Sequence, residues 1–306
     1  MIDKKTKILI TGCGGMLGEA VYNHFKDKCL IFATDIDINE PWLKYLDVTD
    51  YKKVEETTKK INPDYIFHLA ALTDLEYCEK NMFEAFKVNA MGAENVALVC
   101  RRLDIPMVYI STAGVFNGEK EVYFDYDIAN PINIYGKSKY GGEMDVKRIL
   151  KKYFIFRPGW MIGGGPKKDK KFVNKIIKQL QAGTKELFVV DDKMGSPTYT
   201  YDLARIIEAV IMKCPYGSYN AVCEGGGTRY DVAKIILEIL KLDNKVKIKK
   251  IKTEQLKTYV KADFSAPRPN SEKMINIKLK LRGINIPRDW KICLNEYLNK
   301  FDWGVS

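Results

Sequence analysis

The sequence predicts an α/β fold: a doubly wound parallel sheet with a smaller C-terminal α/β lobe. Three observations carry this. Through the first half, short apolar and partly β-branched runs alternate with amphipathic segments. A glycine-rich turn follows the first of those runs. After Pro158 the rhythm weakens, and a less regular second part begins. A β-α-β-α order implies parallel strands, right-handed crossovers and helices on both sheet faces.

Taken in order, Ile8–Thr11, Leu30–Thr34, Tyr65–Leu69, Met107–Ser111 and Phe154–Arg157 read as strands. Helices are expected between them at Gly15–Phe25, Tyr51–Lys60, Met82–Arg102 and Gly136–Lys152. Past Pro158, a Gly/Lys-rich loop over Gly163–Lys171 precedes a helix at Phe172–Ala182. Leu187–Val190 then reads as a strand, and Tyr201–Met212 and Tyr230–Leu240 as helices. The expected division places residues 1–158 and about 185–212 in a dinucleotide-binding (Rossmann) domain. Residues from about 159 to 184 and 213 to 306 would form the substrate-binding lobe.

Composition removes several function classes. With 306 residues, 46% hydrophobic and 29% charged, the chain can bury a core without disulfides or metals. The seven cysteines are scattered and never spaced Cys-x-x-Cys, which favours reduced thiols and a cytoplasmic location. Only two histidines occur, so no metal site is expected. A polar start and the lack of a long apolar run argue against a signal peptide or membrane span. The net charge of +11 is spread along the chain without aromatic interleaving. That pattern reads as a solvated surface or as attraction for a polyanionic substrate, and not as nucleic-acid binding.

The first chemical signal is Thr11-Gly12-Cys13-Gly14-Gly15-Met16-Leu17-Gly18, between the first strand and first helix. Gly12, Gly15 and Gly18 suit a tight turn, a close phosphate and close helix packing, with Met16 and Leu17 in the first helical turn. Asp35 follows the second strand, where a carboxylate takes ribose hydroxyls and repels a 2′-phosphate; as a bare residue it also suits an ordinary turn. No Arg or Lys follows it closely. NAD(H) is therefore favoured, with NADP(H) as the alternative. Asp47-Val48 suits either a place beside the adenine or a helix cap.

The second signal is Tyr135-Gly136-Lys137-Ser138-Lys139. Tyr135 and Lys139 are four residues apart and share a helix face. A phenol titrates near pH ~10, and an ammonium beside it stabilises the phenolate. Such a tyrosine can exchange a proton with substrate. Thr112, at the end of the fourth expected strand, can bond the same substrate oxygen or simply cap a turn.

Together with His68-Leu69-Ala70-Ala71 and Ser111-Thr112-Ala113-Gly114-Val115-Phe116, these motifs resemble extended short-chain dehydrogenases/reductases. Within that group the chain is most similar to the dTDP-4-dehydrorhamnose reductase family. Matches continue through Asp191–Thr198 and Arg268-Pro269-Asn270-Ser271, so the resemblance spans nearly the whole chain.

The resemblance implies catalytic roles for Thr112, Tyr135 and Lys139. It implies cofactor contacts for Asp47, Val48, Ala70 and Ala71, and a proton-relay position beside the cofactor for Asn89. Trp160 matches a tryptophan lying against the substrate sugar, although a core residue after a strand reads equally well. Arg268 would bind a diphosphate, or brace a rigid Pro-Arg-Pro turn. The chain departs from the pattern at Ala113-Gly114. Sugar-nucleotide dehydratases carry Asp-Glu there, and rhamnose-forming reductases usually Asp-Tyr. Dehydration is thereby disfavoured.

The expected activity is NAD(P)H-dependent reduction of a nucleotide-linked 4-keto-6-deoxy sugar. The alternatives are a sugar-nucleotide epimerase on the same fold, or a dinucleotide-binding regulatory subunit like the β subunit of methionine adenosyltransferase. The expected partner is a sugar nucleotide, with a homodimer as the assembly common among such enzymes.

Overall fold

The computed structural model describes residues 2–259 and 265–305. Strands β1 (Lys7–Thr11), β2 (Leu30–Asp35), β3 (Lys44–Tyr45), β4 (Tyr65–His68), β5 (Met107–Ile110) and β6 (Tyr153–Arg157) make up the first half. They alternate with α1 (Met16–Phe25), α2 (Tyr51–Ile61), α3 (Leu75–Lys80), α4 (Met82–Phe86), α5 (Gly92–Leu103) and α6 (Ile134–Ile149). Next come β7 (Trp160–Ile162), α7 (Gly165–Lys168), α8 (Phe172–Gln181), β8 (Glu186–Val190), β9 (Met194–Gly195) and β10 (Pro197–Tyr199). They lead to α9 (Thr200–Lys213) and β11 (Gly217–Asn220). The last part holds β12 (Gly227–Thr228), α10 (Arg229–Ile239), β13 (Lys247–Ile251) and α11 (Leu256–Tyr259). It closes with β14 (Ser271–Glu272), α12 (Ile277–Leu281) and α13 (Trp290–Asn299).

The main sheet has the order β3-β2-β1-β4-β5-β6-β11, and every pair in it is parallel. Strand period decides its two faces. Ile8, Ile10, Phe67, Val108 and Phe156 point into one layer with Leu17, Val21 and Phe25 of α1 and Leu203, Ile207 and Val210 of α9. Leu9, Ile66, Tyr109 and Ile155 point into the other, against Val96 and Val99 of α5 and Val146 of α6. The doubly wound arrangement expected from the sequence is thus the architecture observed. Thr11, Thr34 and His68 lie in register at the carboxyl edge. There the Thr11 hydroxyl and His68 Nδ1 are 2.8 Å apart. Burial drives the His68 pKa down to about 3, so its ring is neutral.

Three details differ from the sequence expectation. The helix expected over 82–102 is broken by a π-turn at Lys87–Met91, with Asn89 inside it. The strand expected with the first domain at 187–190 instead pairs with β13, in a separate two-stranded sheet against α10. The seventh strand of the main sheet is β11, which lay within the stretch expected in the lobe. Its sequence, Gly-Ser-Tyr-Asn, has one apolar side chain and so no strand pattern to read.

Among the described residues, Asp202, Cys223 and Cys293 bring three ligand-type atoms together in the lobe core. Arg288 already engages both Asp202 oxygens, at 2.9 and 2.7 Å, and the group reads as a buried ion pair with two thiols.

A second buried pair ties α6 to β6. Arg157 donates to both Glu143 oxygens, at 2.8 and 2.7 Å. Burial alone would raise the Glu143 pKa, but Arg157 and Lys147 outweigh it and hold it at about 2. The folded-state value lies below the ordinary 4.5, so this stabilisation is complete above that value and lost as pH falls towards 2. Glu143→Gln should cost about 3–5 kcal/mol in urea unfolding at neutral pH, because Arg157 is left unpaired. The variant should also lose the acid limb of the stability–pH curve that the parent shows below pH 4.5.

Candidate active site

The carboxyl edge of the sheet carries the glycine turn. Gly12 is left-handed (φ +71°), and a Cβ there would lie 2.3 Å from the Ala70 amide nitrogen. The turn therefore rests directly on the chain leaving β4, at Ala70 with Ala71 next in line. A Cβ on Gly18 would fall 2.2 Å from the Cys13 carbonyl oxygen, so α1 packs closely on its own entry loop. Gly15 differs. Its Cβ would meet only the Gly12 carbonyl, at 3.8 Å, in ordinary contact. The fold does not demand glycine at 15. No side chain caps α1, so its first-turn N–H groups, around Met16 and Leu17, remain available to an anion.

Asp35, at the end of β2, accepts from the Gly14 and Asp37 N–H groups at 2.8 and 3.0 Å. It builds the turn and also presents a carboxylate at its lip. Asp47 accepts from Thr49 N–H at 2.8 Å, while the cap of α2 is Asp50. Val48 is buried, and Asn95 donates to its carbonyl at 3.0 Å. An open glycine, an uncapped helix start and a neighbouring strand-end carboxylate fit the diphosphate and ribose of a dinucleotide.

Tyr135 and Lys139 sit one turn apart on α6. Asn133 caps that helix by accepting from Gly136 N–H at 2.8 Å, and Asn133 also donates to Pro267 O at 2.9 Å. A Cβ on Gly136 would lie 2.2 Å from the Gly114 carbonyl oxygen. The helix start is therefore pressed against the turn after β5, where Thr112 accepts from Gly114 N–H at 3.1 Å. The Thr112 side chain faces the Tyr135 phenol closely enough to lower its pKa. Burial outweighs this and raises the Tyr135 pKa to about 12. Burial lowers the Lys139 pKa to about 7, with Glu143 opposing. The Lys139 ammonium lies 4.3 Å from the Tyr109 ring centre. Asn89 is buried inside the π-turn. Its side-chain amide is bonded to Leu72 N, Leu72 O and Ser138 Oγ, at 2.8, 3.0 and 3.0 Å. It ties the loop after β4 to α6.

The lobe supplies the opposite wall. Trp160 lies flat on Gly195, where a Cβ would fall 2.2 Å from its ring. Its indole N–H donates to Glu272 Oε2 at 2.7 Å. The Arg229 guanidinium sits 3.6 Å from the Trp160 ring centre. Neither Glu272 nor Arg229 was singled out from the sequence, because no spacing marks either one. Arg268 donates to the Ala266 carbonyl at 2.7 Å and pairs with Glu76. It fastens the segment around residue 266 to α3.

Comparison with known proteins now decides the family. A family model described as the RmlD substrate binding domain matches residues 6–303. The chain belongs to the RmlD family. Spore coat polysaccharide biosynthesis protein SpsK of Bacillus subtilis is 33% identical over 298 residues, covering 96% of this chain and 98% of that protein. A dTDP-4-dehydrorhamnose reductase from Clostridium acetobutylicum superimposes with a TM-score of 0.87 at 35% identity, covering 96% and 99% of the two chains. The Bacillus anthracis dTDP-4-dehydrorhamnose reductase, solved in complex with NADP, gives 0.87 at 32% identity, covering 97% and 100%. Membership in this family agrees with the resemblance read from the motifs.

Gly15 and Gly12 should separate by experiment. Gly15→Ala should leave thermal stability nearly unchanged and weaken nucleotide-cofactor binding, since its methyl enters the ligand's space. Gly12→Ala should destabilise by well over ~1 kcal/mol in urea unfolding, through both its positive φ and the clash at Ala70.

Proposed function

We propose that this RmlD-family protein reduces the 4-keto group of a dTDP-linked 4-keto-6-deoxy sugar, with NAD(P)H as the reductant. The observation that carries the reading is the Thr112–Tyr135 contact beside Lys139, at the sheet edge that also holds the glycine turn. The names of the aligned reductases support the sugar and its nucleotide.

When bound, the reduced nicotinamide supplies a hydride to the ketone carbon. The residues of this chain manage the oxygen. Tyr135, with a pKa of about 12, is a neutral phenol throughout the physiological range. It donates its proton as negative charge develops on the sugar oxygen. The tyrosinate left behind is stabilised by the Thr112 hydroxyl and by the Lys139 ammonium one turn along the helix. Ala113 and Gly114 carry no proton-transfer group, which disfavours dehydration.

NAD(H) is the preferred cofactor in this reading. Asp35 ends β2 and Asp37 follows it, and these carboxylates oppose a 2′-phosphate, whereas Glu40 is paired with Lys168. The NADP complex of the Bacillus anthracis relative makes NADP(H) the competitor. A kcat/KM for NADPH above that for NADH would reverse the preference. A cytoplasmic setting belongs to the same reading, supported by seven unpaired cysteines, with cell fractionation as its check. Among the described residues no helix is long and apolar enough to cross a membrane.

The decisive assay follows cofactor oxidation with dTDP-4-keto-6-deoxy sugars. Tyr135→Phe should lose about 100- to 10,000-fold in kcat and bind dinucleotide as before. Retained turnover would refute the assignment. In the parent, kcat/KM should fall as pH rises through about 7, where Lys139 gives up its proton. In Lys139→Arg, charged throughout, the residual activity should lack that limb.

A further inference from the structure

A keto sugar seated beside Thr112 meets a wall without polar side chains at Ala113 and Gly114. Ring hydroxyls left unmatched there would each cost binding energy. The space that a side chain at 114 would occupy is reached from the other lobe. Glu272 Oε1 lies 3.5 Å from the position of a Cβ on Gly114, and Thr112 Oγ1 lies 3.4 Å from that same position. The carboxylate and the Thr112 hydroxyl thus border the same space at Gly114, although Thr112 and Glu272 are far apart in sequence.

Its placement is fixed from several sides. Strand β14 pairs in parallel with β9, setting Glu272 opposite Gly195. Gly195 in turn seats the Trp160 ring, whose N–H holds Oε2 at 2.7 Å. The remaining oxygen is turned towards Gly114. A carboxylate held by one oxygen with the other presented is a preorganised acceptor for sugar hydroxyls.

We propose that Glu272 is a substrate-binding residue, accepting a hydrogen bond from the sugar hydroxyl next to the ketone and so orienting the ring towards Thr112 and Tyr135. It selects sugars that retain that hydroxyl. The negative charge of Glu272 also favours the protonated phenol of Tyr135, the form that a proton donor needs. This assignment rests on the reductase reading above for the identity of the sugar, and on geometry for the carboxylate.

The test compares the parent with Glu272→Gln, which keeps an oxygen for the Trp160 N–H. Calorimetry with a dTDP-6-deoxyhexose, in the presence of oxidised dinucleotide, should show sugar affinity about tenfold weaker in the variant, with dinucleotide affinity unchanged. The KM for the keto sugar should rise in parallel. An analogue lacking the hydroxyl beside the ketone should bind the parent about tenfold more weakly, yet bind the variant nearly as well as the full sugar. Equal sugar affinity in parent and variant would overturn the proposal. So would a loss shared equally by dinucleotide and sugar with a lowered Tm, which marks a structural role. Glu272→Asp, which shortens the side chain but keeps its charge, should also weaken the sugar alone. If the parent binds sugar in a Glu272-dependent way but oxidises no cofactor, the reductase reading fails and this assignment stands.

Discussion

Gly136 has no side chain, and the start of α6 consequently packs against the Gly114 carbonyl where any Cβ would intrude to 2.2 Å. Much of the site follows from that contact. It brings the phenol of Tyr135 within reach of Thr112, which belongs to a different element and a different turn. It also sets the helical phase, so that Lys139 arrives one turn later over the face of Tyr109. A second glycine repeats the device. A Cβ at Gly142 would fall 2.4 Å from the Tyr109 hydroxyl, so the helix lies close to the sheet along its length. The buried Glu143–Arg157 pair then holds the same helix to β6.

Close packing has an electrostatic consequence. The burial that aligns the tyrosine and the lysine also strips both of water, and it shifts them in opposite directions. The phenol moves up to about 12 and the ammonium down to about 7. Both movements favour the neutral forms, as desolvation must. The arrangement suits a reduction, in which the phenol starts protonated and charge appears only as the oxygen accepts hydride. Neutral His68, stacked on Tyr109, adds no competing charge.

The first half of the chain was legible because each element carried its own local pattern. Ile8-Leu9-Ile10 alternates between two buried layers, and glycines at 12, 15 and 18 mark the turn. The spacing of Tyr135 and Lys139 is a helical spacing, readable without neighbours. What could not be read is what depends on partners distant in sequence. Gly217–Asn220 forms a strand only because β6 offers it an edge. Leu187–Val190 has a strand pattern, but no local feature tells which sheet takes it, and β13 does. The π-turn around Asn89 arises where its amide reaches back to Leu72 and across to Ser138. Arg268 read equally well as an anion ligand or as the brace of a rigid turn, and its pairing with Glu76, nearly two hundred residues away in the chain, has no local sign.

These limits explain how the site divides between lobes. In the proposed reading, the groups that act on the reacting carbon and oxygen come from strand ends and one helix, where geometry is set by the sheet and hardly adjustable. Those assigned to the rest of the sugar come from short, irregular pieces such as β7, β9 and β14, each two or three residues long. Such pieces are held by a few contacts, here the Trp160 ring on Gly195 and its N–H to Glu272. A change of residue there alters the sugar wall without disturbing the sheet. Ala113 and Gly114 show the reverse constraint. They lie in the turn against which α6 packs, so a bulky residue at 114 competes with the carboxylate that the lobe already delivers to that spot. In the proposed reading, the groups that set the reaction and those that choose the substrate thus sit on mechanically separable parts of the fold.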